Sequence, residues 1–147
     1  MTRVPDATVL AFDFGTRRIG VAIGNTLVRV AHPLVTVAAD TPASTFAAIA
    51  ALLDEWRPQQ LVVGLPMHAD GTPHAMTARA TAFARELAQR HGVPVAMVDE
   101  RWTTEAAQDL LTASKSGRGG RAERDQIAAQ LILQAWFDEH ARKPADS

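Results

Sequence analysis

The sequence predicts an α/β fold, a mixed five-stranded sheet with helices on its faces, and does so on three grounds. Three β-type runs follow one another closely between Thr8 and Ala39, and the rest of the chain alternates short strands with helical stretches. Those later strands, LVVG and VAMV, are apolar throughout, as strands covered on both faces are. Adjacent runs imply antiparallel pairing and the alternation implies parallel crossovers, so the sheet is read as three antiparallel strands followed by two parallel ones, flanked by about four helices.

Thr8 to Phe14 (TVLAFDF) is the first run, ended by Gly15, and Ile19 to Gly24 (IGVAIG) follows after four residues, as in a hairpin. Leu27 to Ala39 reads as a third extended region in which Pro33 forces an edge position or an interruption. Thr41 and Pro42 open the first helix with a hydroxyl cap and a proline at the first helical position, and Phe46, Ile49, Leu53 and Trp56 recur at helical spacing up to Pro58. Leu61 to Gly64 is the fourth strand, and LPMHADGTPH after it an ordered turn. Met76, Ala80, Phe83 and Leu87 stripe a second helix stopped by Gly92. Val95 to Val98 is the fifth strand, and Thr103 can cap a third helix through about Ala113. Ser114 to Arg124 (SKSGRGGRAER) reads as a mobile loop. A last helix runs from about Ala122 to His140 with Ile127, Leu131, Ile132, Ala135 and Trp136 inward, and residues 141–147 form a frayed tail. One domain over residues 1–147 is the expectation, with 47% apolar residues to fill its core.

Composition narrows the chemistry. Charges cancel to −1, so any basic binding surface must be local, and the absence of cysteine excludes disulfides, thiol nucleophiles and thiolate metal sites. No uninterrupted apolar stretch approaches the roughly eighteen residues of a membrane span. A cytoplasmic protein without membrane attachment fits. Arginines outnumber lysines 13 to two, a bias with a genomic explanation as well as a phosphate-binding one.

Asp13 interrupts an apolar strand, sharing a side with Val9 and Ala11, and a carboxylate near a sheet interior needs a hydrogen bond, an arginine such as Arg17 or Arg18, or a cation. The plainer reading, an aspartate capping the next turn, stands beside it. Asp99 and Glu100 end a short buried strand, where open α/β sheets present ligand sites, although acids there also prepare the next helix. Side chains alternate along a strand, so one of the two shares a face with Asp13; Glu100 is favoured and Asp99 is the fallback. Asp125 lies near the start of the last helix in line with Ala128, Ala129 and Ile132, whose small side chains let that turn approach the sheet; the helix dipole alone also favours an aspartate there. Three carboxylates without cysteine or a histidine pair describe an all-oxygen site for Mg²⁺ or Mn²⁺, able to support in-line phosphodiester hydrolysis. Just before Asp125, Lys115, Arg118, Arg121 and Arg124 outweigh Glu123 and could follow a phosphate backbone, or form a solvated loop.

Four segments in order, AFDFGTRRIGVAIGN (11–25), VVGLPMHADGT (62–72), VDERWTT (98–104) and RDQIAAQLILQ (124–134), span nearly the whole chain. On these the chain resembles the YqgF/RuvX family of RNase H-like proteins, relatives of Holliday junction resolvases regarded as nucleases for the 5′ end of pre-16S rRNA. The resemblance implies an RNase H-like fold and a divalent cation, with Asp13, Glu100 and Asp125 as catalytic and metal-binding acids. It further implies that Gly64, Asp70 and Gly71 shape a loop beside the site, that Arg101 and Thr104 support it, and that Arg17 is the basic residue of the first motif. The loop at Ser114 to Arg124 is glycine- and arginine-rich where relatives are often lysine-rich, which bears on substrate. Related resolvases commonly use four acids and three are placed here, which favours RNA over branched DNA. DFGTRRIG is also similar to the first phosphate loop of actin-like and sugar-kinase ATPases, but those duplicate the fold and this chain holds one copy. A non-catalytic RNA-binding role in ribosome assembly would keep the basic loop without requiring the acids. A homodimer is compatible with the sequence, though no heptad or apolar stripe demonstrates one.

Overall fold

β1 (Thr8–Asp13) is the middle of a five-stranded sheet ordered β3-β2-β1-β4-β5 in the computed structural model, which describes residues 7–68, 70–100 and 120–142. On one side it pairs antiparallel with β2 (Arg18–Asn25), which pairs antiparallel with β3 (His32–Ala38). On the other it pairs parallel with β4 (Gln60–Pro66), which pairs parallel with β5 (Val95–Glu100). The sheet is the one expected, three antiparallel strands then two parallel. Of the helices, α1 (Pro42–Trp56), α2 (Thr77–His91) and α3 (Gly120–Arg142) are described; the helix expected from Thr103 lies outside the described residues. None of the described helices is long and apolar enough to cross a membrane.

The alternation of side chains sorts the core into two layers. Leu10, Phe12, Ile19, Val21, Leu61 and Val63 face α1 and α2, meeting Phe46, Ile49, Phe83 and Leu87. Val9, Ala11, Ala22, Val62 and Val98 face α3, meeting Ala129, Ile132, Leu133, Trp136 and Phe137. Ile127, Leu131 and Ala135, expected inward, are only partly buried; the buried ridge instead includes Leu133 and Phe137. Gly24 explains part of that rotation, because a β-carbon there would lie 2.7 Å from the Phe137 ring. Trp56, on the same helical spacing as buried Phe46 and Ile49, is 38% exposed.

The third extended region is shorter than its composition suggests. Asn25 Oδ1 accepts the amides of Leu27 and Val28, folding a turn, and Arg29 takes a left-handed φ of 61°. Gln134 of α3 accepts from the Ala31 amide and donates to the Arg29 carbonyl, while Gln130 donates to the Ala31 carbonyl. These peptide groups are committed to α3 rather than to a ladder, so β3 starts at His32 and lies at the sheet edge, with Pro33 beside an irregularity in β2 at Val21 and Ala22.

Two boundaries carry functional weight. β5 runs on through Asp99 and Glu100, so both acids are strand residues and their facing is set by the pleat. α3 begins at Gly120, so Arg121 and Arg124 stand on a helix and not in a mobile loop; it also includes residues 141 and 142, assigned above to the tail. Local chemistry sets the other helix ends. The Thr41 hydroxyl accepts the Ser44 amide at 3.0 Å while Ser44 Oγ accepts the Thr41 amide at 3.2 Å, a reciprocal cap followed by Pro42, and Gly92 closes α2 with a φ of 65°. Replacing Thr41 with Ala should lower stability by about 1 kcal/mol, read as a shifted urea midpoint with unchanged slope.

Candidate active site

Asp13 ends the central strand on the α3 side, in line with buried Val9 and Ala11, and a glycine lies on either flank. Its partner on β2 is Gly20. On β4, Gly64 stands one step beyond the Phe12–Val63 pair. Each glycine admits a different neighbour. A β-carbon on Gly20 would sit 2.0 Å from the Asp125 carbonyl oxygen, so the backbone of the first turns of α3 rests directly on β2. One on Gly64 would lie 2.4 Å from Ile132 Cδ1 and 3.0 Å from the carboxyl carbon of Glu100, so that carboxyl occupies the space a larger side chain would take.

Glu100 reaches Gly64 because it shares the parity of Val98, which faces α3; Asp99 takes the opposite parity and is exposed. The pleat therefore puts Glu100, and not the fallback Asp99, on the side of Asp13. The two carboxyl groups are hydrogen-bonded to each other.

Burial is the largest influence pushing the Asp13 carboxyl up to about 7, and the negative charge of Asp125 pushes the same way; the hydrogen bond with Glu100 and then the positive charge of Arg124 oppose them. Asp125 has its own counter-ion, with Arg18 Nε 2.6 Å from its Oδ2. Thr36 on β3 fixes the same helical turns, donating to the Ala122 carbonyl at 2.7 Å and accepting from Gln126 at 3.1 Å.

Arg18 departs from the expected basic set. Arg17, expected as the basic residue of the first motif, is exposed in the turn before β2, where its carbonyl accepts the Ala39 amide. Arg18 shares parity with Gly20 and Ala22 and thereby faces α3, pairing with Asp125 rather than Asp13; counting alternation back from Gly20 would have singled it out. Arg124 is exposed on α3, and its charge reaches Asp13. Lys115, Arg118, Arg101 and Thr104 lie outside the described residues, and Arg121 is described only as part of α3.

The loop after β4 springs from Pro66, the register partner of Glu100. Asp70 Oδ1 accepts the Thr72 amide at 3.0 Å and the Thr72 hydroxyl at 2.7 Å, and these bonds hold its carboxyl below the usual carboxylate value. Gly71 has a φ of 90°, and a Met67–Pro73 bridge closes the loop. Asp70 is thus occupied in shaping the turn.

Similarity to known proteins extends over most of the chain. The family model RuvX, described as Holliday junction resolvase, matches residues 7–139. A Dechloromonas aromatica protein named "Putative pre-16S rRNA nuclease" is 52% identical over 132 residues, covering 89% of this chain and 90% of that one. A protein of the same name from Chromobacterium violaceum is 50% identical over 132 residues, covering 88% and 96%. Among solved structures, Thermus thermophilus RuvC in complex with a Holliday junction substrate superposes with a TM-score of 0.56 at 17% identity, covering 92% of this chain and 96% of that one. Fowlpox virus resolvase with its Holliday junction DNA gives 0.55 at 12% identity, covering 92% and 99%. At such identities the likeness is one of fold, and the fold is RNase H-like.

Proposed function

Because this chain belongs to the RuvX family, with 133 of its residues (7–139) matched, we propose that it is a divalent-metal-dependent nuclease that processes the 5′ end of pre-16S rRNA in the cytoplasm. The observation that carries the reading is that Asp13, Glu100 and Asp125 come from three elements to one face of the sheet, Glu100 and Asp125 being admitted by the two glycines that flank Asp13. A strand end with only a turn-capping role would not set a half-buried carboxylate beside a second one and within the field of a third.

The donor set fits a hard cation. Asp13 and Glu100 are within hydrogen-bonding reach of each other, and burial first, then the charge of Asp125, pushes the Asp13 carboxyl up to about 7. Oxygen ligands of this kind suit Mg²⁺ or Mn²⁺. Among the described residues no three acids or histidines are spaced to hold one ion, and Asp125 is engaged by Arg18. Asp13 and Glu100 would therefore be the first ligands, with Asp125 joining when Arg18 releases it. A bound cation would supply Lewis-acid activation of water and charge neutralisation at the scissile phosphate. The chain's own contribution is to hold the acids against a rigid sheet, to surrender the proton that the raised Asp13 carboxyl holds, and to offer Arg17, Arg124 and the basic residues 115, 118 and 121 to the flanking phosphates.

Incubation with labelled precursor rRNA, single-stranded RNA and a four-way DNA junction tests the reading. Cleavage of the precursor with Mg²⁺ or Mn²⁺, abolished by EDTA and by Glu100→Gln, is expected. Cleavage of the junction alone would establish the resolvase reading that the family's description favours, and metal-independent RNA binding without cleavage would establish an assembly role; either would overturn the proposal.

A further inference from the structure

We infer that Arg18 is a resident counter-cation, occupying Asp125 until a divalent cation replaces it. The inference rests on the nuclease reading and concerns what holds the acids in place before metal arrives. Three carboxylates converge here, and a fold must neutralise them in the absence of metal or bear their repulsion. Asp125 is neutralised by the Arg18 guanidinium, 2.6 Å away through Nε.

Two features distinguish a displaceable counter-ion from a permanent brace. First, the position of Asp125 does not depend on Arg18. Its carbonyl is seated on Gly20, and Thr36 ties the flanking residues Ala122 and Gln126 to β3. Removing the guanidinium leaves those contacts intact. Secondly, the pair sits at the edge of the site: the side chains of Arg18 and Asp125 are 34% and 22% exposed, so the guanidinium has water to move into. The pair is made through Nε alone, without the two-point grip that makes arginine–carboxylate pairs hard to exchange. A divalent ion held by these acids would bring twice the charge of the guanidinium to Asp125. Arg124, whose charge also reaches Asp13, stands on α3 and is not paired with Asp125.

Calorimetric titration of the full chain with Mn²⁺ tests this, using Arg18→Gln to remove the charge while keeping a donor, and Arg18→Lys to restore the charge. Without its competitor, Mn²⁺ should bind the Gln variant roughly 3- to 10-fold more tightly than wild type, and the Lys variant close to wild type. In EDTA the Gln variant should melt a few degrees lower, about 2–5 °C, and saturating Mn²⁺ should remove that difference. Unchanged or weaker Mn²⁺ binding in the Gln variant overturns the inference, the weaker case because Arg18 would then be a brace for a ligand. A Lys variant that behaves like Gln also overturns it, since charge would not be the cause. Wild type that binds no Mn²⁺ would remove the nuclease reading as well; a wild type that binds, with indifferent variants, removes only this inference.

Discussion

Asp13→Asn should abolish metal-dependent cleavage, by roughly a thousand-fold or more, and at the same time make the metal-free protein more stable at neutral and alkaline pH. The two effects share one cause. The Asp13 carboxyl is raised from the ordinary 3.8 to about 7, first by burial and then by the charge of Asp125, so the folded state binds its proton more tightly than the unfolded state does. The stability this provides is complete below about pH 4 and is lost as pH rises through about 7. Above that the ionised group costs the fold on the order of 2–4 kcal/mol. Asparagine matches its size, carries no charge, and is free of that cost. Urea unfolding in EDTA at pH 4, 6 and 8 should therefore show the variant gaining on wild type through that window, with Mg²⁺ or Mn²⁺ restoring wild type alone. Parallel pH profiles for the two proteins would contradict the assignment of the buried charge.

Gly20→Ala should be the most damaging single change on the sheet, costing roughly 3 kcal/mol and cleavage with it. The new methyl would stand 2.0 Å from the Asp125 carbonyl oxygen and 2.4 Å from its carbonyl carbon, and neither side can yield locally. α3 has to lift, withdrawing Ala129 and Ile132 from the sheet and Asp125 from Asp13. Gly64→Ala offers the contrast. Its nearest obstacle is the end of the Ile132 side chain, which can turn, so the stability loss should be about half as large, while displacement of the Glu100 carboxyl still impairs cleavage. Denaturation midpoints and cleavage rates measured together check both variants; a Gly20→Ala protein as stable as wild type would mean that α3 is not seated as described.

Much of this was legible in the residues, and the reasons differ by element. β1, β4 and β5 declare themselves by apolar runs, and α1 by Thr41-Pro42, because burial and capping are local consequences of sequence. The choice of Glu100 over Asp99 follows from period-two alternation alone, once β5 is a strand. What could not be read locally depends on α3. The late start of β3 depends on Gln130 and Gln134, whose side chains come from a hundred residues away along the chain. Arg18 was visible as a candidate partner, but its pairing with Asp125 depends on how closely a distant helix approaches. The glycines at 20 and 64 were the available signal for that approach, since glycine inside a strand marks another group drawing near.

The pair Arg18–Asp125 joins residues separated by 107 positions, and α3 is synthesised after all five strands. Closing so long a loop is entropically expensive, and the contact forms only when the sheet is already there to receive the helix. A nascent chain that has made its whole sheet but not α3 thus carries Asp13 and lacks Asp125. Under the proposed nuclease reading, assembly of the site is in this way coupled to completion of the fold, and a nascent chain would not be competent to act until α3 docks.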